Sequence, residues 1–123
     1  MRVVRIMAPW RDEGDLDLLI EVLTALNRYY IARGYCAPLD IDTTDIRYER
    51  EPVGSEDWLT LPIVEARRRG DCEDLAAATA ASYPGIGRAV VRRNSSGGYH
   101  AVVEQADGEI LDPSLILGMG EDG

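Results

Sequence analysis

Between Asp15 and Arg33 the apolar residues Leu16, Leu19, Leu23, Leu26 and Tyr30 recur every three or four positions, with a second row of Leu18, Val22, Ala25 and Tyr29 beside them. This is the helical period, so the spacing predicts a helix with a broad buried face. Asp15 is the expected N-cap, because a carboxylate there accepts from free N–H groups of the first turn, and Gly34 is expected in the left-handed position that closes the helix. A second helix is expected to begin at Gly70-Asp71-Cys72-Glu73-Asp74, with Asp71 as N-cap and Asp74 as its reciprocal partner in a capping box. The run Leu75 to Ala81 that follows consists of strong helix formers with small side chains, which suits close packing on a sheet. Tyr83-Pro84-Gly85 ends it.

Three short segments rich in Val, Ile and Ala come next: Arg88 to Arg93, Tyr99 to Gln105 and Glu109 to Leu111. They are separated by Asn94-Ser95-Ser96-Gly97-Gly98 and by Asp107-Gly108, both of which are turn chemistry, and together they predict an antiparallel meander. Earlier, Pro38 to Pro52 interleaves Asp40, Asp42, Asp45 and Glu49 with Ile41, Ile46 and Tyr48, then runs into Gly54 and Ser55. That mixture reads as a solvated loop leading into an edge strand, without the spacing and central Gly of a calcium loop. The order of helix, irregular segment, helix and meander predicts an α+β fold. With 123 residues, 46% of them hydrophobic, one domain with its own core is expected over residues 1–117, followed by a disordered tail over 118–123.

Charge and cysteine usage narrow the function classes. The formal net charge of -9 disfavours nucleic acid as a partner, since phosphate binding relies on Lys and Arg displacing counterions. The single basic cluster, Arg67-Arg68-Arg69, reads as a solvated turn or helix end. No long apolar run is present and Met1 to Arg5 lacks the apolar stretch of a signal peptide, so no membrane association is expected and the chain is expected to be cytoplasmic at synthesis. Cys36 and Cys72 are then expected to be reduced rather than bridged. Two Cys and one His, at scattered positions, fall short of a four-ligand zinc site, so neither metal nor cofactor is expected. The Leu-rich N-terminal helix offers an apolar face to a protein partner.

Chemistry concentrates on three residues. Cys72 falls at a helix N-terminus, where the dipole and free N–H groups favour a thiolate and its own N–H can serve an oxyanion. Glu73 and Asp74 oppose that charge unless they turn outward into capping and surface roles. His100 is the one imidazole available as base. Asp112 can orient it only if the hairpin register allows. With a two-residue turn, Asp107-Gly108, Asp112 falls opposite Val103 and on the wrong face. With a three-residue loop, Ala106-Asp107-Gly108, Gln105 pairs with Glu109, and Asp112 faces Val102 as a diagonal neighbour of His100 at roughly 7–8 Å along the backbone. The three-residue loop is expected. Cys36, in a loop without polar neighbours, is expected to be a small packed hydrophobe.

The strings Arg69-Gly70-Asp71-Cys72-Glu73-Asp74-Leu75-Ala76, Tyr99-His100-Ala101-Val102-Val103 and Asp107-Gly108-Glu109-Ile110-Leu111-Asp112-Pro113-Ser114 resemble the Cys, His and Asp motifs of the transglutaminase-like superfamily. They are most similar to its short microbial and bacteriophage-encoded members, and the resemblance covers Trp58 to about Ser114. It implies a papain-like core in which Cys72 forms a thioester, His100 moves the proton and Asp112 orients the imidazole. Trp58 corresponds to an upstream Trp that helps stabilise the oxyanion in some relatives; a core or interface aromatic is the competing reading. The implied substrate is a protein or peptide amide, with hydrolysis favoured over crosslinking because water reaches the thioester of so small a fold. The alternative is an idle module of the same fold, for example a phage-particle or assembly component.

Overall fold

Helix α1 (Glu13–Ala32) begins one turn earlier than its hydrophobic pattern predicts. The N-cap is Asp12, not Asp15: Asp12 Oδ1 accepts from Asp15 N–H at 3.1 Å, while Asp15 Oδ2 accepts from Arg11 N–H at 2.8 Å. The two acids thus satisfy donors on either side of the first turn. At the other end Gly34 is left-handed, with φ 75°, as expected. The buried stripe comprises Leu16, Ile20, Leu23, Thr24 and Asn27. It is narrower than the sequence suggests, because Leu18, Val22, Ala25 and Tyr29 face solvent.

This structure is a computed structural model that describes residues 2–52, 56–83 and 85–120. The expectations for Gly54, Ser55, Pro84 and the last part of the tail, 121–123, lie outside the described residues. At Met119, within the tail expected from Gly118, the chain is tied back, with its N–H donating to Ser114 O at 2.8 Å.

After α1 the chain forms β1 (Arg47–Tyr48), α2 (Leu61–Arg67) and β2 (Arg69–Gly70). β1 and β2 pair in parallel, so the strand expected near Tyr48 exists and its partner is the segment just before Cys72. Helix α2 lacks a cap from its own Thr60. Its first N–H, at Leu61, is taken by Asn27 Oδ1 of α1 at 2.7 Å, a fully buried bond that docks one helix on the other. Arg68, left-handed at the end of α2, pairs with Asp45 at 3.3 Å, and Arg69 pairs with Glu49 at 3.0 Å. The basic run and the acidic loop therefore meet at the surface.

Helix α3 (Cys72–Ser82) starts in the expected capping box of Asp71 and Asp74. Its small residues allow close approach to the sheet: Ala76, Ala77 and Ala80 pack with Leu16, Ile20 and Leu23 of α1 against Ala89, Val91, Ala101 and Val103. A second core of Leu39, Ile46, Leu61, Val64, Leu75, Ala78 and Leu117 lies on the other side of α3, and the buried Cys36 belongs to it.

The meander is β3 (Gly87–Arg93), β4 (Tyr99–Gln105) and β5 (Ile110–Leu111), in that spatial order and antiparallel throughout. Val103 pairs with Leu111 and Glu104 with Ile110. Gln105 N–H donates to Glu109 O at 2.9 Å, and Gly108, at φ 90°, closes the turn with its N–H on Gln105 O at 3.0 Å. This is the three-residue loop, and a left-handed residue is needed at its third position. A short helix, α4 (Pro113–Ile116), follows at once. The fold is α+β, with four helices and a three-stranded antiparallel sheet among the described residues. No helix among them is long and apolar enough to cross a membrane.

At Gly87, φ is 154° and an added Cβ would lie 2.0 Å from Glu104 O and 2.7 Å from Gln105 Cα, both backbone atoms that cannot move aside without breaking the β3–β4 pairing. Gly87→Ala is expected to cost about 3 kcal/mol in urea unfolding. Gly98→Ala, whose Cβ would meet nothing closer than 3.5 Å, is expected to cost under about 1 kcal/mol. Equal effects would show that the clash is relieved by movement of the hairpin.

Candidate active site

Cys72 is the first residue of α3 and His100 is the second of β4; both line one cavity of about 420 Å3. Trp58, Tyr48, Glu51 and Glu73 line it as well. Register brings the third residue in: since Val103 faces Leu111, Asp112 lies across from Val102, on the same face as His100. His100 Nε2 and Asp112 Oδ2 are 2.8 Å apart. Because an ionised carboxylate only accepts, Nε2 carries the hydrogen and Nδ1 is the basic nitrogen of the neutral ring.

Asp112 is held from two sides. Its Oδ1 accepts from Leu115 N–H at 3.3 Å, which makes it the N-cap of α4. This bond fixes the direction in which Oδ2 points. Sequence reasoning found Asp112 but missed α4, which orients it.

The surroundings of Cys72 differ from expectation. Its N–H does not face open space: it donates to Asp71 Oδ1 at 2.7 Å, so the expected oxyanion donor is engaged within the cap. Its sulfur is hydrogen-bonded to Glu73 Oε2 at 3.3 Å rather than to His100. Glu73 and Asp74 do not turn outward; they are 6% and 1% exposed. Burial, then the charge of Glu73, push the Cys72 thiol strongly upward, with the Ala101 backbone pulling the other way. Cys72 therefore rests as a neutral thiol.

Acids crowd this end of α3. Asp74 accepts from Leu59 N–H at 2.6 Å and from Asp71 N–H at 3.1 Å, and Asp71 Oδ2 accepts from Glu51 N–H at 3.0 Å. Burial raises the proton affinity of Glu73, with Asp74 and Asp71 adding to it; burial also raises that of Asp74, where the Leu59 and Asp71 N–H donors pull it back and Glu51 and Asp71 add to it. Glu51 is pushed up to about 7 by burial and then by Asp71, and Tyr48 to about 12 by the same two causes in the same order. No sequence signal marks Tyr48 or Glu51 as neighbours of Cys72; the short parallel pairing of β1 with β2 brings them there.

Trp58 packs against the first core and lines the cavity, as both of its readings require, but its indole N–H is on Glu56 Oε2 at 3.3 Å. Trp10 also lines the cavity, edge-on to Tyr99 with ring centroids 5.7 Å apart. Nearby, Arg5 reaches Asp57 at 3.4 Å. Cys36 is a free, buried thiol raised by desolvation and then by Glu65.

No protein-family model, curated protein or solved structure matches this chain. The functional reading therefore stands on motifs and geometry.

Because Glu51, Glu73 and Asp74 bind protons more tightly when folded than when unfolded, the stability they contribute is complete below the ordinary carboxyl range. It is lost as pH rises through about 7 for Glu51 and through the raised values of the other two. The thermal midpoint is expected to fall from about pH 5 to about pH 9, and Glu73→Gln is expected to flatten that fall. A midpoint that climbs over this interval would mean these acids are stabilised as anions.

Proposed function

We propose that this chain performs cysteine-dependent acyl transfer on an amide bond, in a single transglutaminase- or papain-like domain, with Cys72 as nucleophile, His100 as base and Asp112 as its orienting carboxylate. The observation that carries this reading is the 2.8 Å His100–Asp112 pair, whose imidazole lines the cavity that Cys72 also lines. Cys72 and His100, distant in sequence, share one cavity, and the imidazole that Asp112 holds has its basic nitrogen free of that carboxylate.

The chemistry follows from those roles. His100 Nδ1 takes the thiol proton as the sulfur attacks the amide carbon, and the imidazolium formed is stabilised by Asp112. The tetrahedral intermediate collapses to a thioester on Cys72, and the amine leaves with the proton from His100. A water molecule, deprotonated by His100, then releases the acid and restores the thiol. Because the thiol rests on Glu73, proton transfer begins only when substrate entry turns the sulfur from Glu73 toward His100. Trp58 stabilises the oxyanion by exchanging Glu56 for the substrate oxygen. Water as acceptor makes peptidase or amidase activity the favoured outcome over crosslinking.

A second reading is favoured by one observation. The Cys72–Glu73 hydrogen bond and the raised thiol fit an idle module of the same fold that binds a protein partner, as a phage-particle or assembly component does.

Release of ammonia and of peptides from casein separates the two. Wild-type protein is expected to exceed Cys72→Ala, His100→Ala should fall by about 10²–10⁴-fold, and Asp112→Asn should also lose activity while remaining folded. Alkylation by iodoacetamide supplies a readout without substrate: Cys72 is expected to react more slowly in His100→Ala, with Cys36 as internal control. Turnover indistinguishable from Cys72→Ala, together with alkylation unaffected by His100, would leave only the idle module.

A further inference from the structure

Glu51, from the segment after β1, and Glu73 and Asp74, from the first turn of α3, bring carboxylate oxygens within 4.8 Å of one another. Acids gathered this closely need a reason, since buried charges are ordinarily paired with a cation or coordinate one. None of the ion pairs among the described residues involves any of the three. Lys is absent from the chain, and the Arg residues near this end of the molecule pair elsewhere or face the open cavity.

The second observation is independent of the clustering. Glu73 is 6% exposed, and its Oε1 is sealed from solvent without a hydrogen-bond partner. A buried carboxylate oxygen with no donor is costly to leave unmatched. Glu51 and Asp74 stand beside Glu73 as carboxyl groups, and no hydrogen bond from either, or from any N–H, reaches this oxygen.

We propose that Glu51, Glu73 and Asp74 form a binding site for a hard divalent cation. Oxygen-only donors of this charge suit Mg2+, Ca2+ or Mn2+ rather than the softer metals that select Cys and His. The site differs in kind from the four-ligand zinc centre that the composition excludes. Asp74 is aimed by Leu59 N–H and Asp71 N–H, one on each of its oxygens, which leaves lone pairs for a metal and holds the ligand in place. Glu51 and Glu73 line the cavity of about 420 Å3, through which the ion enters and from which water completes its shell. Asp71, Cys72 and Glu73 also lie within 4.8 Å of one another, but both oxygens of Asp71 are taken by Cys72 N–H and Glu51 N–H, and the Cys72 thiol is hydrogen-bonded to Glu73. The oxygen set is the better ligand. Nothing in this site depends on whether Cys72 transfers acyl groups.

The test is calorimetric titration of the full chain, stripped with EDTA, with CaCl2, MgCl2 and MnCl2 in turn, followed by thermal unfolding with and without the ion. One equivalent is expected to bind at least one of these ions and raise the unfolding midpoint. Glu51→Gln and Glu73→Gln are each expected to weaken binding by about tenfold or more, whereas Cys72→Ser and the hairpin variant Glu109→Gln retain it. If a Gln variant fails to fold, Mn2+ broadening of amide signals in the wild-type protein locates the ion, with Leu59 and Asp71 expected to broaden first. No heat and no midpoint change at about 10 mM of all three ions would overturn the proposal. So would binding unchanged in both Gln variants, loss in Cys72→Ser, or broadening centred elsewhere.

Discussion

One carboxylate holds this architecture together. Asp74, 1% exposed, accepts from the N–H of Asp71 at the start of α3 and from the N–H of Leu59 in the chain entering α2. The first bond begins the helix that carries Cys72; the second anchors that helix end to the segment bearing Trp58. A single side chain therefore sets both the direction of the sulfur and one wall of its cavity. The same requirement brings conflicting electrostatics: a helix N-terminus favours acids, and a nucleophilic thiol is suppressed by them. Here the cap prevails at rest, and the sulfur keeps its proton beside Glu73.

The imidazole half of the site is free of that conflict. His100 projects from the middle layer of the meander and meets a carboxylate fixed by its own small helix. Pro113 and Ser114 bury α4 against the fold, and the Leu115 N–H takes one oxygen of Asp112, which leaves the other for the imidazole. The imidazole is thus positioned by backbone geometry on one side and by strand pairing on the other.

How much of this could be read from the chain depends on the range of the forces involved. Helix α3 was legible because its cap, Asp71 with Asp74, and its stop are local. The meander and the His100–Asp112 alignment were legible because turn chemistry and strand parity determine register. Helix α1 was legible in its period but not its start, since Asp12 and Asp15 are both good caps and only the fold distinguishes them. Helix α2 was hidden: Pro62 near its start reads as a breaker, and its first N–H is satisfied by Asn27 from another helix. The pairing of β1 with β2 spans two residues on each strand and joins distant segments, beyond any local pattern. Glu73 was the instructive failure, because an acid beside a helix cap ordinarily points to water, and only the packing of α3 turns it inward.

The hairpin loop of Ala106, Asp107 and Gly108 has a consequence for how this molecule can change. Side chains alternate along β5, so the loop counts parity as well as length. A one-residue slip that closed the hairpin between Ala106 and Glu109 would leave both strands able to pair, while turning Asp112 to the far side of the sheet and presenting Leu111 to the face of His100 instead. A slip that is modest for folding would be total for the imidazole's partner, so the left-handed Gly108 that holds the three-residue closure also guards the alignment of His100 with Asp112.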